Sequence, residues 1–212
     1  MKKAFCLLSL AFVLASCNGI LSGLYDEVET TAPFGFKLVN EAEGSGTIYL
    51  DVRDYELWTY VDLHGRTFDT ANMVDGASEP QHWDFALHRY DVKTNGGAAR
   101  ETEFLTIDAL KAHGHYDEGV FTTDTTGRVV VDMSTMMDGY LGYHDSNINK
   151  VLSRWLNVDT STMPPIYTLS GKVYVVRLAD GTFAALLFTD FMDEASVKGF
   201  ITIKYVYPLY IR

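Results

Sequence analysis

Methionine and histidine are the residues whose types and spacing could do chemistry in this sequence. Four of the six methionines after the initiator fall between Val131 and Pro165: Met133, Met136, Met137 and Met163. The first three follow a β-branched run and Met163 stands just before Pro164-Pro165, so both groups read as loop or strand-end positions. A thioether is a soft, neutral metal ligand. It is also a common filler of irregular core gaps, and composition alone favours that use, most of all for Met133. His113 and His115 form an H-x-H pair near Asp117, with His144 further on. They could hold zinc and support a hydrolase, but no third ligand stands at a metal-site spacing. His88 shares an alternating face with Asp84, Ala86 and Tyr90 and reads as a hydrogen-bonded structural residue. Ser-His-Asp catalysis has no nucleophile elbow here.

The first sixteen residues read as a leader. Lys2 and Lys3 form a basic start, and Ala4 to Leu14 an apolar stretch too short to span a bilayer. Leu14-Ala15-Ser16-Cys17 then has the form of a bacterial lipoprotein cleavage box. On that reading Cys6 leaves with the leader and Cys17 becomes the acylated N-terminus. The mature chain then has neither a free thiol nor a disulfide, which excludes cysteine catalysis. Several acyl chains on one residue anchor a protein stably. Residues 17–46 are expected to be a lipid-anchored tether with a weak first strand, and residues 47–212 a single β domain. With Lys2 and Lys3 set aside, residues 18–212 hold 15 basic side chains against 28 acidic ones, a net charge of −13. Acids spread along the chain argue against nucleic acid and against electrostatic attachment to anionic lipid.

The elements that must position the methionines are mostly strands. Ile48, Leu50 and Val52 alternate with polar residues, and Leu57 to Val61 is β-branched and aromatic. Asn72 to Gln81 reads as a loop, broken by Gly76 and Pro80. Trp83 to Val92 alternates as one strand, with Trp83, Phe85 and Leu87 on one side, and ends at the turn Asn95-Gly96-Gly97. Thr106 to Ala112 predicts a short helix, with Thr106 as N-cap and Gly114 past its end. Ser146 to Leu156 predicts a second helix between the methionine groups, its stripe formed by Ile148, Val151, Leu152 and Trp155. Lys172 to Leu178 and Thr182 to Phe188 form a hairpin through Ala179-Asp180-Gly181. Gly199 to Tyr207 closes the chain with Ile201, Ile203, Tyr205 and Tyr207 on one face. The fold class is all-β, mainly antiparallel, with one or two short helices.

Trp83 to Gly97, WDFALHRYDVKTNGG, resembles the signature of the HmuY family of haem-binding lipoproteins of Bacteroidetes. KVYVVRLADG (Lys172 to Gly181), FTDFMDE (Phe188 to Glu194) and KGFITIKYVYP (Lys198 to Pro208) are similar to the family in the same order, so the resemblance runs from about Tyr55 to Pro208. It implies a haemophore: an all-β surface lipoprotein of the outer membrane that holds one haem between two loops. Such a protein passes haem to a TonB-dependent receptor, takes it from host haemoproteins, can form oligomers and has no enzymatic turnover. Some members ligate iron with two histidines and others with two methionines. Here Tyr140 falls where the first histidine is expected and Thr160 near the second, so the methionine type matches better. The implied ligands are Met163 and one of Met136 and Met137, with Met136 preferred. Thioether ligation favours ferrous iron and raises the reduction potential relative to imidazole. The alternative is a structural or adhesive β-domain without haem.

Overall fold

The computed structural model describes residues 34–210. The leader and Cys17 lie outside the described residues. The chain begins with strands β1 (Gly35–Asn40), β2 (Ser45–Asp51), β3 (Leu57–Asp62) and β4 (Thr67–Asn72). Strands β5 (Phe85–His88), β6 (Asp91–Thr94) and β7 (Ala98–Glu101) follow, then helix α1 (Ile107–His113) and the short β8 (Thr122–Thr123). Strands β9 (Thr125–Asp132) and β10 (Gly142–Ile148) make one hairpin, and β11 (Leu156–Asp159) and β12 (Ile166–Leu169) another. The chain ends with β13 (Tyr174–Arg177), β14 (Phe183–Met192) and β15 (Lys198–Val206).

Seven strands form one antiparallel sheet in the order β1-β2-β15-β14-β13-β7-β8, and four form a second in the order β4-β3-β5-β6. The main core lies between them. Ile48, Leu50, Ile201, Ile203 and Leu186 from the larger sheet meet Val61, Phe85, Leu87 and Val92 from the smaller one. The period-two pattern at Ile48, Leu50 and Val52 is therefore burial of one sheet face. The outer face of the larger sheet is covered at Val173, Val175, Ala185 and Val206 by Leu110 of α1 and by Tyr116. Thr106 caps this helix by accepting a hydrogen bond from the Ala109 N–H, and Gly114 ends it at φ 69°.

A bulge decides what the edge of the core can hold. In β14, Phe188 pairs with Ile203 but Asp190 with Thr202, so two residues oppose one. Strict alternation would send Phe188 and Phe191 to opposite faces. The bulge turns Phe191 back to the core side, where its ring stacks on Tyr167 of β12 at 5.6 Å.

Two local expectations are corrected, and one strand is added. Trp83 to Val92 is not one strand: β5 and β6 form a tight hairpin in which His88 pairs with Asp91 and Arg89 takes φ 51°. Trp83 then joins Ala86 in the cluster on the outer face of the smaller sheet, rather than Phe85. Ser146 to Leu156 is not a helix: Ile148 ends β10 and only Leu152–Trp155 makes a 3-10 turn. The apparent stripe joins a strand residue, Ile148, to two fully buried residues of the turn, Leu152 and Trp155. Residues 67–72 form an edge strand, β4, whose polar, mostly exposed side chains hide its period.

Candidate functional site

The two methionine groups sit at the tips of two separate two-stranded ribbons. The first ribbon, β9–β10, lies against the outer face of the smaller sheet. Val129, Val131 and Ile148 pack there on Trp58, Tyr60, Trp83 and Ala86. Lys93 stiffens this floor. Its ammonium is buried among the rings of Trp58, Tyr60 and Trp83 at 4.6, 4.8 and 5.2 Å, donates to Tyr60 Oη at 3.1 Å and pairs with Glu79. Burial, with the nearby Glu79 carboxylate, pushes the Tyr60 hydroxyl far up, so it stays protonated. A cavity of about 350 Å³ remains beside β10, lined by Trp58, Met73, Lys93 and His144 among others.

The second ribbon, β11–β12, is held at its base by aromatic rings. Tyr167 meets Tyr90 edge-on at 5.6 Å and carries the Lys198 ammonium over its face at 4.1 Å. Behind it Trp155 stacks on Phe188 at 4.5 Å and donates its indole N–H to Tyr90 O at 3.0 Å.

One buried polar knot ties both ribbon bases to β6. Asn149 is fully buried between β10 and the 3-10 turn that leads to β11. Its amide donates to Thr122 O at 2.8 Å and to Asp124 Oδ1 at 3.0 Å, and its oxygen accepts from the Leu152 N–H at 2.9 Å. Asp124 accepts in turn from the Thr94 N–H at 2.7 Å, and the Asn149 N–H donates to Val92 O. Every polar atom of the asparagine side chain is thus engaged, as a buried amide requires.

The loops beyond the strands begin alike. Asp132 accepts from the Ser134 N–H at 2.7 Å and Asp159 from the Ser161 N–H at 2.9 Å, an Asx-turn at the end of each first strand. Hydrogen bonds from these serines hold both carboxyls below their ordinary range. In the first loop Met136–Asp138 is a 3-10 turn closed by Gly139 in the left-handed region at φ 84°. The segment is therefore not extended, and Met136 and Met137 are neighbours around a turn. Met136 is 45% exposed and Met137 91%; in the second loop Met163 is 88% exposed. Six of the twelve exposed large hydrophobic side chains among the described residues lie on these ribbons: the three methionines, Tyr140, Tyr143 and Ile166. No strand of one ribbon pairs with a strand of the other.

The histidines divide differently from the methionines. His88 is buried, bonds Tyr55 O through Nε2 at 2.8 Å and packs on Trp58, as a structural residue should. His113 and His115 lie near each other, with rings 6.3 Å apart, but His144 is on β10, and the three form no metal-capable group among the described residues. The group that does converge is Asp62, His64 and Asp84, which the sequence reading passed over. Its signal was a pair of alternating triplets, Asp62-Leu63-His64 and His82-Trp83-Asp84, on strand ends that the β3–β5 pairing brings together.

Residues 54–205 match the family model described as HmuY protein. The chain belongs to the HmuY family. Among solved structures it is similar to the HmuY-like heme binding protein of Bacteroides vulgatus, at 47% identity and a TM-score of 0.80, covering 84% of this chain and 100% of that one. It is also similar to a lipoprotein of Bacteroides fragilis, at 46% identity and a TM-score of 0.80, covering 86% and 99%. The apo HmuY analog of Tannerella forsythia matches at 25% identity and a TM-score of 0.67, over 78% and 96%. The comparison with curated proteins gave no match. As a HmuY-family chain it has the all-β architecture expected of that family, with a helix on one face.

Proposed function

We propose that this protein is a haem-binding surface lipoprotein that captures one haem through two axial methionines and delivers it to a TonB-dependent outer-membrane receptor. The observation that carries the reading is the exposure of thioethers at the tips of two separate ribbons. Haem iron takes its axial ligands from opposite faces, so two independent segments suit it better than one. Met163 supplies one ligand and Met136 or Met137 the other. Tyr140, Tyr143 and Ile166, exposed on the same ribbons, offer apolar and aromatic surface for a porphyrin. Membership of the HmuY family and the named heme binding of the Bacteroides vulgatus relative support the same ligand.

Two neutral, soft ligands add no charge and favour the ferrous ion, so reduced haem binds more tightly than oxidised haem. Binding ends in hand-over rather than turnover. Acylation at Cys17 would hold the domain at the outer membrane, where host haemoproteins supply the ligand. The test is a haem titration followed by absorbance, once in air and once under dithionite. One haem per chain is expected, with a low-spin ferrous spectrum and tighter binding under dithionite. Equal affinity in both states would refute the ferrous preference. No spectral change in either state would refute haem binding and favour the adhesive reading.

A further inference from the structure

At a different place, where the β3–β4 turn meets the β13–β14 turn, three carboxylates surround one imidazole. His64 Nε2 lies 3.0 Å from Asp180 Oδ2. His64 Nδ1 lies 3.1 Å from Asp84 Oδ2 and 3.9 Å from Asp62 Oδ1. An ionised carboxylate can only accept, so the ring nitrogen facing Asp180 carries the hydrogen. The other nitrogen faces two further carboxylates, so the pocket calls for a cation there, which a second ring proton or a metal ion supplies. The ligand atoms of Asp62, His64 and Asp84 lie within 4.8 Å of one another. Backbone donors of the same turn fix both carboxylates: Asp84 Oδ2 accepts from the Leu63 N–H at 2.7 Å, and Asp62 Oδ1 from the Gly65 N–H at 2.8 Å.

We propose that Asp62, His64 and Asp84 bind a divalent transition-metal ion of the zinc class, with Asp180 orienting the imidazole from behind. The donor set, one imidazole nitrogen and two carboxylate oxygens, is one that zinc accepts with a remaining position open. Two carboxylates and a neutral ring balance a divalent charge. A histidine ligand whose other N–H is held by a carboxylate is the usual outer support of such sites, and Asp180 stands in that role. The site opens to a cavity of about 340 Å³, which His82 also lines and on which, among the described residues, no Lys or Arg borders to neutralise the acids. Asp62, His64 and Asp84 come from the strand ends and turn of the smaller sheet, and the contact from His64 to Asp180 in the β13–β14 turn links them to the larger one. Along β5 this site lies at the Asp84 end, before Phe85, whereas the second ribbon meets the other end of that strand through Tyr90.

The test is calorimetric titration of Zn²⁺ into EDTA-treated, dialysed protein without haem, with Ca²⁺ as the hard-cation control. One Zn²⁺ per chain is expected, with weak or no Ca²⁺ binding. Asp62→Asn and His64→Gln should abolish it, and Asp180→Asn should weaken it roughly 10- to 100-fold while all three ligands remain. Should a variant fail to fold, Co²⁺ added to the native protein provides a second readout. It should broaden the NMR ring signals of His64 and leave those of His113, His115 and His144 sharp. No saturable Zn²⁺ binding, unchanged binding in the variants, or broadening at His113 and His115 instead would each overturn the proposal. A proton would then be the cation that His64 holds. Haem titration of the same variants should match the native protein whichever way the metal result falls.

Discussion

The sandwich and the ribbon tips use large apolar residues in opposite ways. Between the sheets, Trp155, Tyr174, Phe85 and Leu186 are fully buried, and each ring has a neighbour to pack on. At the tips, Met137 and Met163 are about nine-tenths exposed on loops that their own strands hold by Asx-turns. The difference teaches where each property resides: stability comes from the sandwich, and the tips are free to be chosen for what they bind. The ribbon bases, with Asn149 and Tyr167, join the two regimes.

The largest effect should separate core from tip outright. Trp155→Ala removes a fully buried indole, its stacking on Phe188 and its hydrogen bond to Tyr90. It should cost about 3–5 kcal/mol in urea denaturation. Met137→Ala and Met163→Ala should stay within about 0.5 kcal/mol of the parent in the same assay. A large loss at either methionine would break the distinction.

Next comes the joint between the regimes. Asn149→Ala orphans the Leu152 N–H, Thr122 O and part of Asp124, all at the ribbon bases. About 1–3 kcal/mol of destabilisation is expected, with faster amide exchange in both ribbons than in β14 and β15. Uniform exchange throughout would show that the ribbons do not depend on the knot.

Gly139→Ala probes a tip without touching a contact. The added methyl meets nothing within 4 Å, but φ 84° is unfavourable for any residue with a Cβ. A loss of about 1–2 kcal/mol is expected, visible as a changed Met136–Met137 loop in NMR shifts rather than as a change in the sandwich.

The smallest effect is a pH-dependent strut. Glu101 of β7 reaches Lys172, just after β12, at 2.7 Å, and Arg154, just before β11, at 3.7 Å. Its hydrogen bond to Lys172, against a smaller opposing effect of burial, holds the carboxyl below its ordinary value. A depressed carboxylate stabilises the fold above its unfolded pKa and loses that contribution as pH falls through the folded value. Glu101→Gln should therefore destabilise by no more than about 0.5–1 kcal/mol at neutral pH, since Lys172 and Arg154 are largely exposed. The gap between variant and parent should close in acid, below about pH 4.5. A gap that persists at low pH would assign the loss to something other than charge.

What could be read from the sequence follows from how local its causes are. The capped helix at Thr106, the hairpin at Asp180-Gly181 and the buried faces of β2 and β15 are set by neighbours a few residues apart. The loop character of both methionine groups was legible for the same reason. The β5–β6 turn was not, because Arg89 adopts φ 51° without the glycine or asparagine that usually marks such a turn. The false helix at Ser146 to Leu156 arose because Ile148, Leu152 and Trp155 owe their burial to different partners, and the residue that breaks the helix, Asn149, bonds Thr122 and Asp124 some 25 residues away. The Asp62–His64–Asp84 group escaped for a similar reason, since Asp84 lies 20 residues from His64 and meets it only through strand pairing.

The most direct measurement is a haem titration by absorbance, under dithionite, on the native chain and on Met136→Ala, Met137→Ala and Met163→Ala, each first shown to keep native stability. The low-spin ferrous spectrum should be lost in Met163→Ala and in one of the other two, while the remaining variant binds as the native chain does. Native spectra in all three would contradict ligation by the ribbon tips.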